Sequence, residues 1–113
     1  PVTASGQVEG GMLQALGYAH CEEYAFDETG KMLNDSLGPY KIYRADEMPE
    51  FEVFLIQTME DSGPFGAKAV AEIPKDGVAP AIRNAIINAT GVAINVIPFT
   101  PERVWQKIRV SEI

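Results

Sequence analysis

The sequence predicts an α+β domain, a small mixed sheet packed with two main helices and a short C-terminal helix. Three observations carry this. Apolar residues recur at helical spacing over Gly6–Cys21 and again over Val78–Ala89. The run Phe51–Met59, FEVFLIQTM, is rich in Phe, Val and Ile and is bounded by Pro49 and Gly63, as a strand would be. Thr100-Pro101-Glu102 is a capping signal for a last helix over Pro101–Ile108.

In chain order, Pro1–Ser5 reads as an incoming strand end or linker. Gly6–Cys21 follows as a helix whose apolar face is Val8, Met12, Leu13, Leu16 and Ala19. Its glycines at 10, 11 and 17 each weaken a helix by about 1 kcal/mol relative to alanine, so another backbone or a ligand is expected to come close. Gln7 falls in its first turn, where free N–H groups favour anions; a plain capping or solvent-facing amide is the other reading. His20 and Cys21 close the helix, and His20 reads as a satisfied core or surface histidine.

Tyr24–Leu33 reads as a hairpin around Asp27-Glu28-Thr29-Gly30, with Gly30 left-handed. Asn34–Pro39 is loop, Tyr40–Tyr43 a short strand, and Asp46–Glu50 a second turn. Phe51–Met59 is apolar on both faces at its centre and so reads as a central, covered strand. Ser62–Pro74 reads as an ordered loop. Val78–Ala89 is a helix with Pro80 in its first turn, a buried stripe of Ile82, Ala85, Ile86 and Ala89, and Gly91 just past its end. Val92–Phe99 alternates imperfectly and reads as a strand. Val104 and Trp105 are expected to pack the last helix down.

The chain has 113 residues, enough for a single domain over residues 1–113. At 46% hydrophobic and 22% charged it is globular in composition, not disordered. Sixteen acids against nine Lys and Arg give a net charge of −7 with no basic cluster, which excludes a nucleic-acid footprint. One cysteine and one histidine leave no intrachain disulfide and no all-protein Cys or His metal site. No signal peptide and no apolar run of membrane-spanning length is present, so no membrane partner and a cytoplasmic location are expected. The chain opens on Pro1 rather than Met, as a processed chain or a piece of something longer would.

The chemistry concentrates in Ser62–Pro74, SGPFGAKAVAEIP. Gly63 and Gly66 let backbone pass close to something bulky, the alanines keep volume low, and Glu72 is its one carboxylate near the small-residue run. The stretch reads either as a loop presenting backbone and an acid to a ligand, or as a surface connection whose glycines serve only turns.

Three motifs together resemble one family. GQVEGGMLQALGYAHCEE, then GPFGAKAVAEIP, then APAIRNAIINATG are similar, in order and spacing, to the C-terminal part of the molybdopterin-binding subunit of the xanthine dehydrogenase and aldehyde oxidase family, the molybdenum hydroxylases. The match runs from about Gly6 to about Val104. The resemblance implies that Glu72 is the catalytic general base toward the hydroxyl on molybdenum. It implies that Gln7 contacts the molybdopterin and that Gly66, Ala67, Lys68, Ala69 and Val70 form the loop against metal and pterin. It implies no protein side chain as a metal ligand here. Bacterial members usually carry the cytosine dinucleotide form of the cofactor. Iron–sulfur clusters and FAD would lie on partner segments or subunits. The implied reaction is hydroxylation of a purine, another N-heterocycle or an aldehyde with water-derived oxygen.

The chain departs from the pattern at Ala71, where the family has glycine, at Glu72-Ile73-Pro74, and at Tyr40–Arg44. The family's other cofactor motifs are not in these 113 residues. The expectation is therefore a fragment or split subunit. Its partners would be the remainder of the molybdenum subunit, iron–sulfur and flavin subunits and a small-molecule substrate. The isolated chain would be inactive and self-associating. The alternative from another class is a non-catalytic remnant that acts as a protein-interaction module.

Overall fold

Residues 1–111 are described here from a computed structural model. The elements are α1 (Val2–His20), α2 (Ile73–Asp76), α3 (Val78–Thr90) and α4 (Pro101–Ser111), with single 3-10 turns at Ala45–Glu47 and Pro64–Gly66. The predicted mixed sheet is absent among the described residues. What exists is two isolated bridges, Phe26 with Met32 antiparallel and Leu37 with Tyr40 parallel. The α part of the prediction stands and the β part does not: Tyr40–Tyr43, Phe51–Met59 and Val92–Phe99 form no ladder. Strand-forming residue types set what a segment prefers, but a ladder needs a partner within reach.

Helix α1 starts four residues earlier than the glycine pattern indicated, so Pro1–Ser5 is helical after Pro1 rather than a linker. Its buried face also differs from the expected one. Gly11, Ala15 and Ala19, four residues apart, are buried, while Val8, Met12, Leu13 and Leu16 are half-buried. The reason is distance. α1 is pressed against both α2 and α3, and only small side chains allow helix axes to approach that closely.

The core is small. Ala19, Ala79, Ile94 and Phe99 are buried together, with Tyr18, Ile82, Ile86 and Val104 packed against them. The Phe99 N–H donates to the Ala19 carbonyl at 2.6 Å, fixing the 92–99 segment to the end of α1. Val92 and Ile94 point inward between exposed Ala93 and Asn95, so the alternation read from the sequence is real even without a ladder. Arg83 occupies the Ile94 carbonyl instead, at 3.0 Å. In α3, Ile82 and Ile86 face the core but Ala85 and Ala89 are exposed. Gly91 closes α3 at φ 73°, with its N–H on the Ile87 carbonyl at 2.7 Å, as the sequence indicated. In α4 Val104 packs inward, but Trp105 is exposed, with the Arg109 guanidinium 5.8 Å from its ring centroid.

The turn at Asp27–Gly30 forms as read. Gly30 has φ 83°, and the Asp27 carboxylate accepts from the Thr29 N–H, the Thr29 hydroxyl and the Lys31 N–H at 2.7 to 3.0 Å. The Thr29 hydroxyl, ahead of the backbone donors, holds that carboxyl below its ordinary range.

The chain is more open than a self-sufficient domain. Its radius of gyration is 17.9 Å, against about 13 Å for a compact domain of this length. Its accessible surface is 8668 Å², against about 6,100 Å² for a compact monomer of this mass. The surplus is strongly apolar: Phe54, Ile56, Met59, Phe65 and Ile73 all lie open to solvent.

Candidate functional site

The meeting of α1 with α2 builds the site. Gly11 lies under Pro74: a Cβ placed on Gly11 would stand 3.1 Å from Pro74 Cβ and 3.7 Å from Lys75 Cγ. The missing side chain lets Pro74 seat on α1, and Glu72, two residues earlier, is the N-cap of α2. The close approach expected at the helix glycines is therefore met at Gly11, and again at Gly17, where a Cβ would run into the Glu22 carboxylate. At Gly6 and Gly10 a Cβ would meet nothing within 4 Å, so no neighbour among the described residues explains them.

Between α1 and α2 opens a cleft of ≈ 390 Å³ lined by Gln7, Gly10, Gly11, Gln14, Ala71, Glu72 and Lys75. Two residues far apart in sequence, Gln7 and Glu72, thus line one cavity. The Glu72 side chain is 83% exposed, and its Oε1 receives the Lys75 ammonium at 3.3 Å. At that exposure the pair contributes no more than about 1 kcal/mol. Among the described residues Oε2 has no hydrogen-bond partner.

Gln7 is not in the first turn. With α1 starting at Val2, its backbone N–H lies within the helical ladder and is not free for an anion. Its contribution to the cleft is the side-chain amide. Gln14, two turns on, lies on the same face and adds a second amide. Sequence reasoning passed over Gln14 and Lys75. The signals were the seven-residue spacing from Gln7 and the three-residue spacing from Glu72, each of which returns a helical residue to the same side.

The loop before Glu72 lies apart from this cleft. None of Gly66, Ala67, Lys68, Ala69 and Val70 lines it. The Gly66 and Ala67 N–H groups donate to Gly63 and Pro64 carbonyls at 3.1 and 3.0 Å. The Lys68 ammonium donates to the Thr58 hydroxyl at 2.7 Å. Lys68, Ala69 and Val70 keep their N–H groups without a partner among the described residues. Within the chain, the glycines of this loop have close neighbours of their own. Gly66 has φ +74°, and a Cβ there would meet Met59 Cγ at 2.8 Å. Phe65 takes φ 56° at the tip, a conformation that non-glycine residues rarely adopt, and its ring is fully exposed. Glu60 staples the loop base, accepting from the Ser62 hydroxyl at 2.8 Å, which holds its carboxyl below the usual range.

A second polar group sits at the far end of α1. His20 Nδ1 and the Tyr43 hydroxyl are 2.8 Å apart. Burial pushes His20 down and Tyr43 up, so both are neutral near pH 7, and the imidazole tautomer sets which of the two donates. Burial likewise pushes the Cys21 thiol up, away from the reactive thiolate form. Tyr40 is pushed up to about 12 by donating its hydroxyl to Glu22 at 2.9 Å. None of these groups lines the Gln7–Glu72 cleft.

The cleft suits the molybdopterin that the sequence resemblance implies. A pterin edge presents alternating donors and acceptors, and two side-chain amides supply both kinds. Gly10, where a Cβ would meet nothing within 4 Å, leaves its part of the helix surface without a side chain, so that a flat ring system can lie against backbone there. Among the described residues, no three His, Cys, Asp or Glu side chains gather as a metal site.

Comparison with known proteins agrees with this chemistry. A family model described as a molybdopterin cofactor-binding domain matches residues 1–49. Over 98% of its length the chain is 38% identical to the putative xanthine dehydrogenase molybdenum-binding subunit of Escherichia coli strain K12. Over 96% it is 37% identical to the aldehyde oxidoreductase molybdenum-binding subunit of the same strain. It spans 15% of the length of each. Among solved structures, quinoline 2-oxidoreductase from Pseudomonas putida 86 superposes with a TM-score of 0.87 at 28% identity, covering 96% of this chain and 14% of that one.

Proposed function

As a member of the molybdenum hydroxylase family, the family of xanthine dehydrogenase and aldehyde oxidoreductase, this chain, we propose, supplies one wall of the molybdopterin site and the general base of the reaction. The observation that carries the reading is the convergence of Gln7 and Glu72 on one cleft from positions 65 residues apart. When bound, molybdenum–molybdopterin supplies the two-electron oxidation of the substrate carbon. Gln7 and Gln14 hold and orient the pterin through their side-chain amides. Gly10 keeps the approach open, and Gly11 seats Pro74. Glu72 takes up a proton at Oε2 as water-derived oxygen passes to an electron-poor carbon, while Lys75 on Oε1 fixes the carboxylate. Base catalysis by a placed carboxylate is worth about 10²–10⁴-fold.

The reading extends to the whole protein of which residues 1–113 form one portion. Its substrate is a purine, another N-heterocycle or an aldehyde. Its cofactor is molybdenum–molybdopterin, carried as the cytosine dinucleotide form if the protein follows bacterial members, its electrons leave through iron–sulfur and flavin partners, and it works in the cytoplasm. Lys68, Ala69 and Val70 offer their unpaired N–H groups to the cofactor from the loop side. Glu72 is open to water here, so the remainder of the molybdenum subunit must cover the cleft. The isolated chain is then silent. The likeness to catalytic subunits favours this reading over a non-catalytic interaction module.

The test is Glu72→Gln in the complete enzyme. Molybdenum content should match the parent while turnover falls by about 10²-fold or more. Full molybdenum content with undiminished turnover would remove Glu72 from the base role.

A further inference from the structure

From Met48 to Glu60 the chain runs without helix, turn or bend. Among the described residues, no backbone N–H or carbonyl from Met48 to Met59 has a hydrogen-bond partner in this chain. Contact with the rest of the loop begins only at its end, where the Glu60 N–H reaches the Gly66 carbonyl at 3.2 Å and Lys68 reaches Thr58. From Phe51 to Phe54 the side chains alternate in environment as a strand's do, and from Phe54 to Glu60 all are exposed. Phe51 and Val53 are half-buried, whereas Phe54 and Ile56 are 81% and 85% exposed. An apolar segment with an open row of donors and acceptors is a template for strand addition.

Charge decides what can add. Glu50 and Glu52 stand at the entry of the segment and Glu60 and Asp61 at its exit, all four exposed. A second copy of the same segment would set acids against acids in either direction, an arrangement that is destabilising across a strand pair. A strand with an apolar centre and basic residues at its ends would meet both features.

We propose that Phe51–Met59 is an acceptor strand, completed by a strand of apolar centre and basic ends from another part of the same molybdenum subunit. This rests on the reading above that the chain works within a larger subunit, of which relatives hold far more than these residues. Pairing there would satisfy the open backbone groups and cover Phe54 and Ile56. It would also anchor the arm that carries Ser62–Pro74, and with it the approach to Glu72.

Amide hydrogen exchange tests this without any variant. It is followed by mass spectrometry on the complete molybdenum subunit and on the isolated 113-residue chain. In the complete subunit, amides from 51 to 59 should exchange at least about 100-fold more slowly than in the isolated chain. Exchange at the isolated-chain rate in an active complete subunit would overturn the proposal. So would a dimer of the isolated chain in which 51–59 is protected as strongly as in the complete subunit, since the occupant would then be a second copy. The outcome is separable from the functional reading. Glu72→Gln tests the base whether or not these amides are protected, and protection can fail while the base role holds.

Discussion

Substituting Gly11 by alanine tests how Glu72 is placed. The added Cβ would stand 3.1 Å from Pro74 Cβ and 3.6 Å from its Cγ, so a neighbour must give by a few tenths of an ångström. Pro74 is a ring fused to backbone and cannot rotate aside. α2 must therefore move, carrying Glu72 with it. A misplacement of 1 Å costs about 10²-fold in rate, so a shift of about 0.3 to 0.5 Å scales to a loss of roughly four- to tenfold. Stability carries a second reading. Alanine gains about 1 kcal/mol over glycine in a helix interior, while overpacking costs about 1–3 kcal/mol. Gly6→Ala is the control, since nothing lies within 4 Å of its Cβ. The assays are turnover and thermal midpoint in the complete enzyme. Gly6→Ala should match or exceed the parent in both, and Gly11→Ala should fall below it in turnover with no gain in midpoint. If Gly11→Ala gains midpoint and keeps turnover as Gly6→Ala does, α1 does not set the position of Glu72.

Two further perturbations probe the far end of α1. Burial lowers His20 below its unfolded value of 6.5. The unfolded state therefore binds more protons, and this group's stability is full above about pH 6.5 and lost as pH falls through the lowered folded value. The urea midpoint of the parent should accordingly fall more between pH 7.5 and 5.5 than that of His20→Gln, and equal slopes would refute this. Arg103 ties α4 to the chain just before it and to a distant segment, donating to the Pro98 carbonyl at 3.1 Å and to Glu23 at 2.6 Å. Arg103→Ala should destabilise by about 1 kcal/mol, because both groups are partly exposed; a thermal midpoint unchanged in low salt would contradict it.

The helices were legible because their signals are local. The Thr100 capping signal stands one residue before α4, which begins at Pro101, and Gly91 stands just past the end of α3. The start of α1 was missed because Val2–Ser5 carries neither an N-cap side chain nor an acidic first turn. The strands at 51–59 and 92–99 were read from residue type, flanking breakers and alternation, and a ladder depends on a partner that none of these reveals. For the site, Glu72 and Gln7 could be singled out by motif likeness, but their shared cleft depends on Gly11 meeting Pro74, a contact 63 positions apart in the chain. The glycines of Ser62–Pro74 signalled close approach, and at Gly66 one neighbour is Met59, from the segment that leads into the loop.

The central claim is that one cleft between α1 and α2 faces the cofactor. The most direct measurement locates molybdenum by anomalous scattering in crystals of the complete, cofactor-loaded enzyme. The account predicts the pterin against Gln7 and Gln14, and a Glu72 carboxylate within hydrogen-bond reach, about 3 Å directly or through one water, of a ligand of the metal. Molybdenum bound far from Glu72, with the Gln7–Glu72 cleft filled by protein, would contradict it.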